Sequence, residues 1–211
     1  MVSGRIAAPA MLLLAALAAC SSPNPNLYTI APVPGPVEHA APKVVLVRDI
    51  VLARYLERTQ IVRSSENYRL AVLSNDWWGE PLSAMLSRVL TAELSQRLPG
   101  ATVYGNRSSI AVSPDATIDL NIDRLDEDAS GKVVLQGQAG VTFSGRGAPL
   151  ARPFRFVETP PTPGTGGEVA AISAAVGRLA SQLAAGAPAV LALAGAGHRR
   201  PASLPLAARP G

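Results

Sequence analysis

Histidine is the side chain that acts most often as a general base, and this sequence contains only two, His39 and His198. Both lie in stretches rich in proline or arginine, outside the segments whose apolar periodicity predicts a core. A catalytic triad needs a scaffold that holds its three groups within hydrogen-bond reach. The sequence also lacks a Gly-Lys-Ser/Thr phosphate-binding loop, which excludes ATP hydrolysis by this chain. We therefore expect no catalytic residue of either kind.

Acidic residues offer two further kinds of chemistry. Asp126, Glu127 and Asp128 lack the alternating ligand spacing of a dedicated calcium loop, so we interpret them as the solvated tip of a hairpin. Asp119, Asp123 or Glu127 could supply the paired carboxylates of a glycosidase, but a sequence does not give the separation that this chemistry requires. We expect no metal site and a protein that is not an enzyme.

The single cysteine, Cys20, follows a segment that is typical of an export signal. Arg5 gives a basic start, and residues 6–19 form an almost unbroken apolar run. The run is shorter than the roughly 20 residues that span a bilayer, so residues 1–19 are predicted to be a signal peptide. Leu17-Ala18-Ala19-Cys20 resembles the bacterial lipobox, in which the cysteine becomes the acylated first residue of the mature protein.

The alternative is a cysteine that merely follows an ordinary cleavage site. A lone cysteine in an exported protein has no internal disulfide partner, and acylation accounts for it. Each buried methylene contributes about 0.8 kcal/mol, so two or more acyl chains hold a protein stably on a bilayer. Ser21 and Ser22 stand where many Gram-negative lipoproteins retained at the inner membrane carry Asp. The resemblance therefore implies the outer membrane, with the protein facing the periplasm.

Composition and charge limit the other partners. The net charge is +4 and aromatic residues make up 4% of the chain, so the spread arginines lack an aromatic platform and we predict no nucleic-acid binding. Residues 20–43 are rich in proline and are expected to form a semi-extended spacer between lipid and domain. Residues 195–211 are predicted to be a disordered basic tail, either solvated or lying on a membrane surface.

Residues 44–194 are expected to form a single domain, and its first helix is the clearest element. Pro81 lies in the first turn and Pro99-Gly100 marks the end. The apolar stripe comprises Leu82, Met85, Leu86, Val89, Leu90, Leu94 and Leu98. The face expected to be exposed to solvent comprises Ser83, Ser87, Arg88, Glu93, Gln96 and Arg97.

Strands are expected on both sides of this helix. Residues 44–52, 61–62 and 70–73 are short apolar β segments, and a turn is predicted at residues 64–68. Ile118, Leu120 and Ile122 then alternate with polar residues, as expected of a strand with one buried face. A second strand follows over residues 133–143, connected through the acidic hairpin at residues 126–131.

A short further strand is expected around Phe154 and Phe156. The second helix is predicted from Val169 to Leu183, with Gly186 near its end. The order of strands, helix, strands and helix favours an α+β fold. We predict a two-layer domain with a largely antiparallel sheet and two main helices packed on one face.

Two motifs of this domain resemble those of a known family. The first is Tyr55-Leu56-Glu57-Arg58-Thr59-Gln60-Ile61-Val62-Arg63, and the second is Trp77-Trp78-Gly79-Glu80-Pro81-Leu82, which opens the first helix. Together they resemble the PqiC-type auxiliary lipoproteins of ABC-linked lipid transport, over roughly residues 44–103. The chain departs from the family pattern in Glu57 for Asp, in the doubled Trp77-Trp78 and in its basic tail.

The resemblance implies a non-catalytic subunit of an envelope-spanning lipid transporter. Such a subunit links the MCE-type periplasmic subunit, and indirectly the inner-membrane permease, to the outer membrane. It implies no cofactor other than the covalent lipid on Cys20, and it is compatible with a homo-oligomer. The alternative function is a stand-alone envelope lipoprotein that binds a lipid or a glycan.

The first motif and Trp77 also supply a candidate docking patch. Aromatic and arginine side chains are the usual anchors of protein interfaces. The residues expected to form an exposed partner-binding patch are Tyr55, Arg58, Gln60, Arg63 and Trp77. The alternative is structural, with the aromatic and apolar members of both motifs in the core.

Overall fold

The computed structural model describes residues 24–39, 42–109 and 112–196, and within these it describes no side chains for residues 146–150 and 187–196. The predicted signal peptide, Cys20 and the predicted tail from residue 197 onward lie outside the described residues. The structure therefore bears on the domain and on the described part of the predicted spacer.

The described residues contain nine strands, a short 3₁₀ helix at Arg54–Leu56 and two α-helices. The strands are β1 (Asn26–Tyr28), β2 (Val44–Val47), β3 (Val51–Leu52), β4 (Gln60–Ser64), β5 (Ala71–Trp78), β6 (Thr102–Gly105), β7 (Ala116–Glu127), β8 (Val133–Phe143) and β9 (Arg146–Glu158). The helices are α1 (Leu82–Arg97) and α2 (Thr165–Ala196).

All nine strands belong to one mixed sheet. The order is β1-β5-β4-β7-β2-β6, while β8 pairs with β7 and β9. The long strands β7, β8 and β9 are antiparallel, whereas the short strands β2, β3 and β4 join β7 in parallel. Both helices pack on the sheet around one apolar core. The predicted α+β two-layer fold is confirmed.

The alternation of β7 explains how it can lie at the centre of the sheet. Ile118, Leu120 and Ile122 are buried, whereas Asn121 and Asp123 are exposed, as predicted. One face of the strand therefore joins the core, and the other meets solvent.

Helix α1 buries the predicted apolar stripe, from Leu82 to Leu98. Helix α2 differs from the prediction because it continues past Gly186 to Ala196. Glycine costs a helix only about 1 kcal/mol, and most residues from 187 to 196 are alanine or leucine, so the helix continues even though Pro188 lies within this stretch. Over Thr165–Gly186 the helix is long and apolar enough to cross a membrane, but most of its apolar stretch is buried in the domain, as in a core helix.

The N-terminal segment differs from the predicted free spacer of residues 20–43. β1 pairs with β5, and Ile30 is buried in the core. Residues 31–38, which we call the strap, then cross the helices, and the Val33 N–H donates to Glu93 Oε1 at 2.7 Å. The prolines keep the strap extended but do not prevent it from packing, so this stretch is part of the domain.

The strap also overturns the prediction that Glu93 and Arg97 face solvent. The two residues are 0% and 1% exposed, because the strap covers this side of α1. The Glu38 N–H donates to the Arg97 carbonyl oxygen at 2.7 Å. Arg88 and Gln96 are exposed as predicted.

Candidate docking site

The two motifs that carry the family resemblance lie side by side in the fold. Gln60 at the start of β4 pairs with Trp77 at the end of β5. The Trp78 N–H donates to the Thr59 carbonyl oxygen at 2.8 Å. Pro81 and Leu82 follow immediately and begin α1. Segments that are separate in the sequence therefore form one continuous surface.

This surface contains a cleft of about 460 Å³. Its lining comprises Leu52, Glu57, Arg58, Thr59, Trp78, Gly79, Glu80, Pro81, Leu82 and Ser83. The three large apolar members, Leu52, Trp78 and Leu82, are almost fully buried and form the floor. Glu57 and Arg58 are exposed at the rim. An apolar floor inside a charged rim is the arrangement that receives an anchoring side chain of a partner.

Two features of the rim favour polar contacts to a partner. Arg58 is fixed locally, because its Nε donates to the Tyr55 carbonyl oxygen at 2.9 Å, and it has no ion pair among the described residues. Among the residues that the structure describes, no side chain caps the start of α1 at Pro81, and the first turn of this helix contains no acidic residue. The backbone N–H groups of that turn are left to solvent or to an acceptor on a partner.

Tyr55, predicted in the exposed patch, is half-buried and belongs to a structural network. Its hydroxyl donates to Asp126 Oδ2 at 3.0 Å. Burial, together with the Asp126 carboxylate, raises the pKa of Tyr55 to about 12. Arg124 Nε donates to the other carboxylate oxygen of Asp126 at 2.8 Å. The prediction of a solvated tip is wrong for Asp126, which is 0% exposed.

The hairpin tip itself follows Asp126 and Glu127, which lie within β7. Asp128 Oδ1 accepts hydrogen bonds from the N–H groups of Ser130 and Lys132 at 2.8 and 3.1 Å. The hydrogen bond from the Ser130 hydroxyl, followed by these backbone bonds, lowers the pKa of Asp128. The carboxylate therefore stabilises the turn.

Arg63, also predicted in the exposed patch, faces the start of α2. Its Nε lies 3.4 Å from Glu168 Oε2, and its Nη2 donates to Thr165 Oγ1 at 3.2 Å. Thr165 in turn donates to Asp76 Oδ2 at 2.6 Å. Asn26 Nδ2 donates to the second carboxylate oxygen of Asp76 at 2.8 Å. Arg63 thus helps to join β1, β4, β5 and α2.

Glu168 is the most perturbed carboxyl of this network. It is 0% exposed, and within the described part of the chain the contact with Arg63 at 3.4 Å is too poorly aligned to count as a hydrogen bond to its carboxylate. Burial raises the pKa of Glu168 to about 8, and the nearby carboxylates of Glu127 and Asp126 add to the effect, while Arg63 opposes it. The group is therefore largely protonated at neutral pH.

Gln60 and Trp77, the last two predicted patch residues, are half-buried beside the cleft. Neighbouring residues of a strand point to opposite faces, so Trp77 lies on the face of the sheet opposite to Trp78 in the cleft floor. The Trp77 indole donates to the Ser74 carbonyl oxygen at 3.2 Å. Of the five predicted residues, only Arg58 lines the cleft.

A second buried polar cluster, which holds the strap, could hardly be predicted from the sequence. Arg97 donates to the carbonyl oxygens of Val33, Gly177 and Glu93, and its Nε donates to the Ser181 hydroxyl. Burial raises the pKa of Glu93, while the Val33 N–H and the Arg97 guanidinium oppose this effect. The only signal was the i, i+4 spacing of Glu93 and Arg97 beside the apolar stripe, which surface pairs share.

Comparison with known proteins identifies relatives in both sequence and fold. The family model described as "ABC-type transport auxiliary lipoprotein component" matches residues 26–184. The chain is 27% identical over 145 residues to "Intermembrane transport lipoprotein PqiC" of Escherichia coli strain K12, which covers 66% of this chain and 75% of the relative. The PqiC protein of Shigella flexneri matches with the same figures.

Solved structures share the fold at low sequence identity. A crystal structure of an uncharacterized protein has a TM-score of 0.60 at 19% identity, covering 80% of this chain and 99% of the other. A crystal structure of a protein from Xanthomonas campestris has a TM-score of 0.62 at 17% identity, covering 77% and 93%. The family match begins at β1, which agrees with the packing of the N-terminal segment on the domain. The chain belongs to the family of ABC-type transport auxiliary lipoprotein components.

Proposed function

We propose that this chain is a non-catalytic, lipid-anchored subunit of an envelope-spanning ABC/MCE-type lipid transport system. In this role it links the MCE-type periplasmic subunit, and through it the inner-membrane permease, to the outer membrane, and it supports membrane integrity. The family membership supports a transport role. The relatives that are named for intermembrane transport support a role in transport between the membranes of the envelope.

The observation that carries the docking part of this proposal is the convergence of both family motifs on one cleft. Leu52, Trp78 and Leu82 offer an apolar floor for an anchoring side chain of the periplasmic subunit. Arg58 and Glu57 at the rim supply charges that set the orientation of that partner. Tyr55 and Arg63 act indirectly, since they fix the first motif to β7 and α2. Gln60 and Trp77 pair with each other beside the cleft and support its position without lining it.

The anchor part of the proposal rests on Cys20 in its lipobox-like setting. Acylation of Cys20 would attach the domain to the outer membrane, as Ser21 and Ser22 imply. The domain would then lie in the periplasm, where the transporter subunit is available for docking.

A second candidate function is a stand-alone lipoprotein that binds a lipid or a glycan. The cleft volume of about 460 Å³ favours it, because small-molecule sites usually measure about 300–1,000 Å³. In that case the cleft would hold a ligand, and no transporter subunit would be needed.

Affinity purification separates the two functions. A tagged chain is expressed in its native host, envelopes are solubilised in mild detergent, and co-purifying proteins are identified by mass spectrometry. We expect the MCE-type subunit and the permease to be enriched. The Cys20→Ala variant is the control, and it should remain an unprocessed precursor that incorporates no labelled palmitate. Capture of neither subunit, with a lipid or a glycan extracted from the pure protein instead, would support the second function.

A further inference from the structure

The hairpin between β4 and β5 presents an apolar tip where these two strands end. Tyr68 is fully exposed, and Leu70 and Val72 are 40% and 37% exposed. Arg69 is exposed between them. Amphipathic aromatic, aliphatic and basic side chains together are typical of segments at a membrane–water interface.

The tip is held in one shape. The Arg69 N–H donates to the Glu66 carbonyl oxygen at 3.1 Å, and the Glu66 N–H donates to the Ser64 hydroxyl at 3.2 Å. The Glu66 carboxylate accepts a hydrogen bond from Arg124 at 2.6 Å. Tyr68 has a φ of 61°, a left-handed conformation that a bulky side chain disfavours. The turn therefore keeps an aromatic ring in solvent at a conformational cost.

The direction of β1 brings the lipid attachment point towards this tip. β1 runs parallel to β5, with Asn26 opposite Asp76. The direction of β1 before Asn26 therefore points towards the first residues of β5, Ala71 and Val72. Cys20 precedes Asn26 by six residues, which reach at most about 20 Å. Leu70, immediately before β5, lies six positions before Asp76, so the tether is just long enough to bring the lipid level with the tip.

The short reach from Cys20 to Asn26 limits the position of the domain because the strap is packed on the helices. Had residues 20–43 been a free spacer, the domain could lie anywhere within reach of a long linker. Glu93 and Arg97 instead fix residues 31–38 to the helices, and β1 fixes residues 26–28 to the sheet. Only the residues before Asn26 separate the acylated cysteine from the domain.

We propose that the hairpin tip formed by Tyr68, Arg69, Leu70 and Val72 inserts into the interface of the bilayer to which Cys20 is attached. This inference rests on the lipid anchor of the proposed function. The docking cleft lies at the other end of β5, beside Trp78, so the contact orients the cleft away from the membrane. The eight residues of β5 separate the two sites by about 26 Å.

The test uses the acylated chain, in which the blocked Cys20 leaves an introduced cysteine as the only free thiol. Tyr68→Cys and Leu70→Cys are each labelled with an environment-sensitive fluorophore and reconstituted into phosphatidylethanolamine and phosphatidylglycerol vesicles. Val51→Cys is the matched control, since Val51 is 61% exposed but lies on β3 opposite Asn121, well along β7 from the hairpin. Quenching by lipids with brominated acyl chains reports membrane depth.

We expect the emission of the labels at residues 68 and 70 to shift to shorter wavelength and to be quenched by brominated lipid, while the label at residue 51 shows neither effect. Labels at residues 68 and 70 that behave like the one at residue 51 would overturn the membrane contact. A chain that carries no lipid, detected by mass and by failure to bind vesicles, would overturn the anchor and this contact together. Lipid contact without capture of a transporter subunit would leave this inference standing and count only against the proposed docking.

Discussion

Arg97 at the end of α1 donates a hydrogen bond from Nη2 to the carbonyl oxygen of Val33, at 2.9 Å. The same nitrogen donates to the Gly177 carbonyl oxygen of α2 at 3.0 Å. One buried guanidinium therefore joins the strap to both helices. Together with the pairing of β1 with β5, this contact holds the N-terminal segment on the domain.

Replacing Arg97 by alanine is expected to lower the free energy of unfolding by about 3 kcal/mol, because several buried carbonyl groups would lose their donor and Glu93 its nearest cation. Urea unfolding of the chain that begins at Ser21 measures this change. Gln96→Ala is the matched control, since Gln96 is exposed on the same helical turn and its replacement should cost less than about 0.5 kcal/mol. Equal midpoints for the two variants would contradict the structural role of Arg97.

Gly35→Ala is expected to displace the strap without touching the sheet. A Cβ at residue 35 would lie 2.6 Å from Arg97 Cζ, which is closer than such atoms approach. The guanidinium cannot retreat easily, because its other hydrogen bonds hold it to α2. Hydrogen exchange of the Val33 and Glu38 amides should accelerate, while the amides of β7 keep their protection.

The control for Gly35 is Gly186→Ala, where an added Cβ meets nothing within 4 Å. Since alanine favours a helix more than glycine does, this variant should be neutral or slightly more stable. Strap amides that exchange at the same rate in the Gly35 variant as in the parent chain would contradict the close approach.

Helix α1, strand β7 and the strap show which parts of the fold can be predicted from the sequence and which cannot. Strict periodicity predicted α1 and β7, because the apolar residues that define each pattern are also the ones that are buried. The strap was missed because proline-rich composition is shared by free linkers and by extended segments that pack. Glu93 and Arg97 have the types and spacing of a surface pair, and only the strap, far away in the sequence, makes them buried.

The candidate site was predicted in part for a similar reason. The sequence indicated the two motifs, but it did not show that they share a cleft, since that depends on the pairing of β4 with β5. Tyr55 and Arg63 resemble interface anchors by type. Their buried partners, Asp126 and Glu168, lie on elements that are distant in the sequence, and local patterns do not predict where those elements pack.

Glu168 is expected to make the stability of the domain depend on pH. The pKa of Glu168 is about 8 in the folded chain, whereas the ordinary value, expected in the unfolded chain, is 4.5. The folded state therefore binds the proton more tightly. The stabilisation that comes from protonated Glu168 is therefore fully present below about pH 4.5 and is lost as the pH rises towards 8. A single group changes the free energy of unfolding by at most about 1.4 kcal/mol for each pH unit.

Glu168→Gln removes this titration while it keeps the shape of the side chain. Urea midpoints measured from pH 5 to pH 8 should fall for the parent chain and change much less for the variant. Asp76 and Asp128, whose pKa values are lowered, are already ionised throughout this range. Glu93, whose pKa burial also raises, is present in both proteins, so the difference between the two profiles reports Glu168 alone. Parallel pH profiles for the two proteins would show that Glu168 is not the responsible group.

The docking claim is tested most directly by photo-crosslinking from the cleft in living cells. A benzophenone amino acid replaces Thr59, which lines the cleft, or Gln96, which is exposed near the far end of α1. We predict that the probe at residue 59 crosslinks to the MCE-type subunit and that the probe at residue 96 does not. Arg58→Glu should abolish the crosslink while circular dichroism and membrane attachment stay unchanged. A subunit that co-purifies with the chain but crosslinks equally from both positions, or from neither, would contradict docking through the cleft.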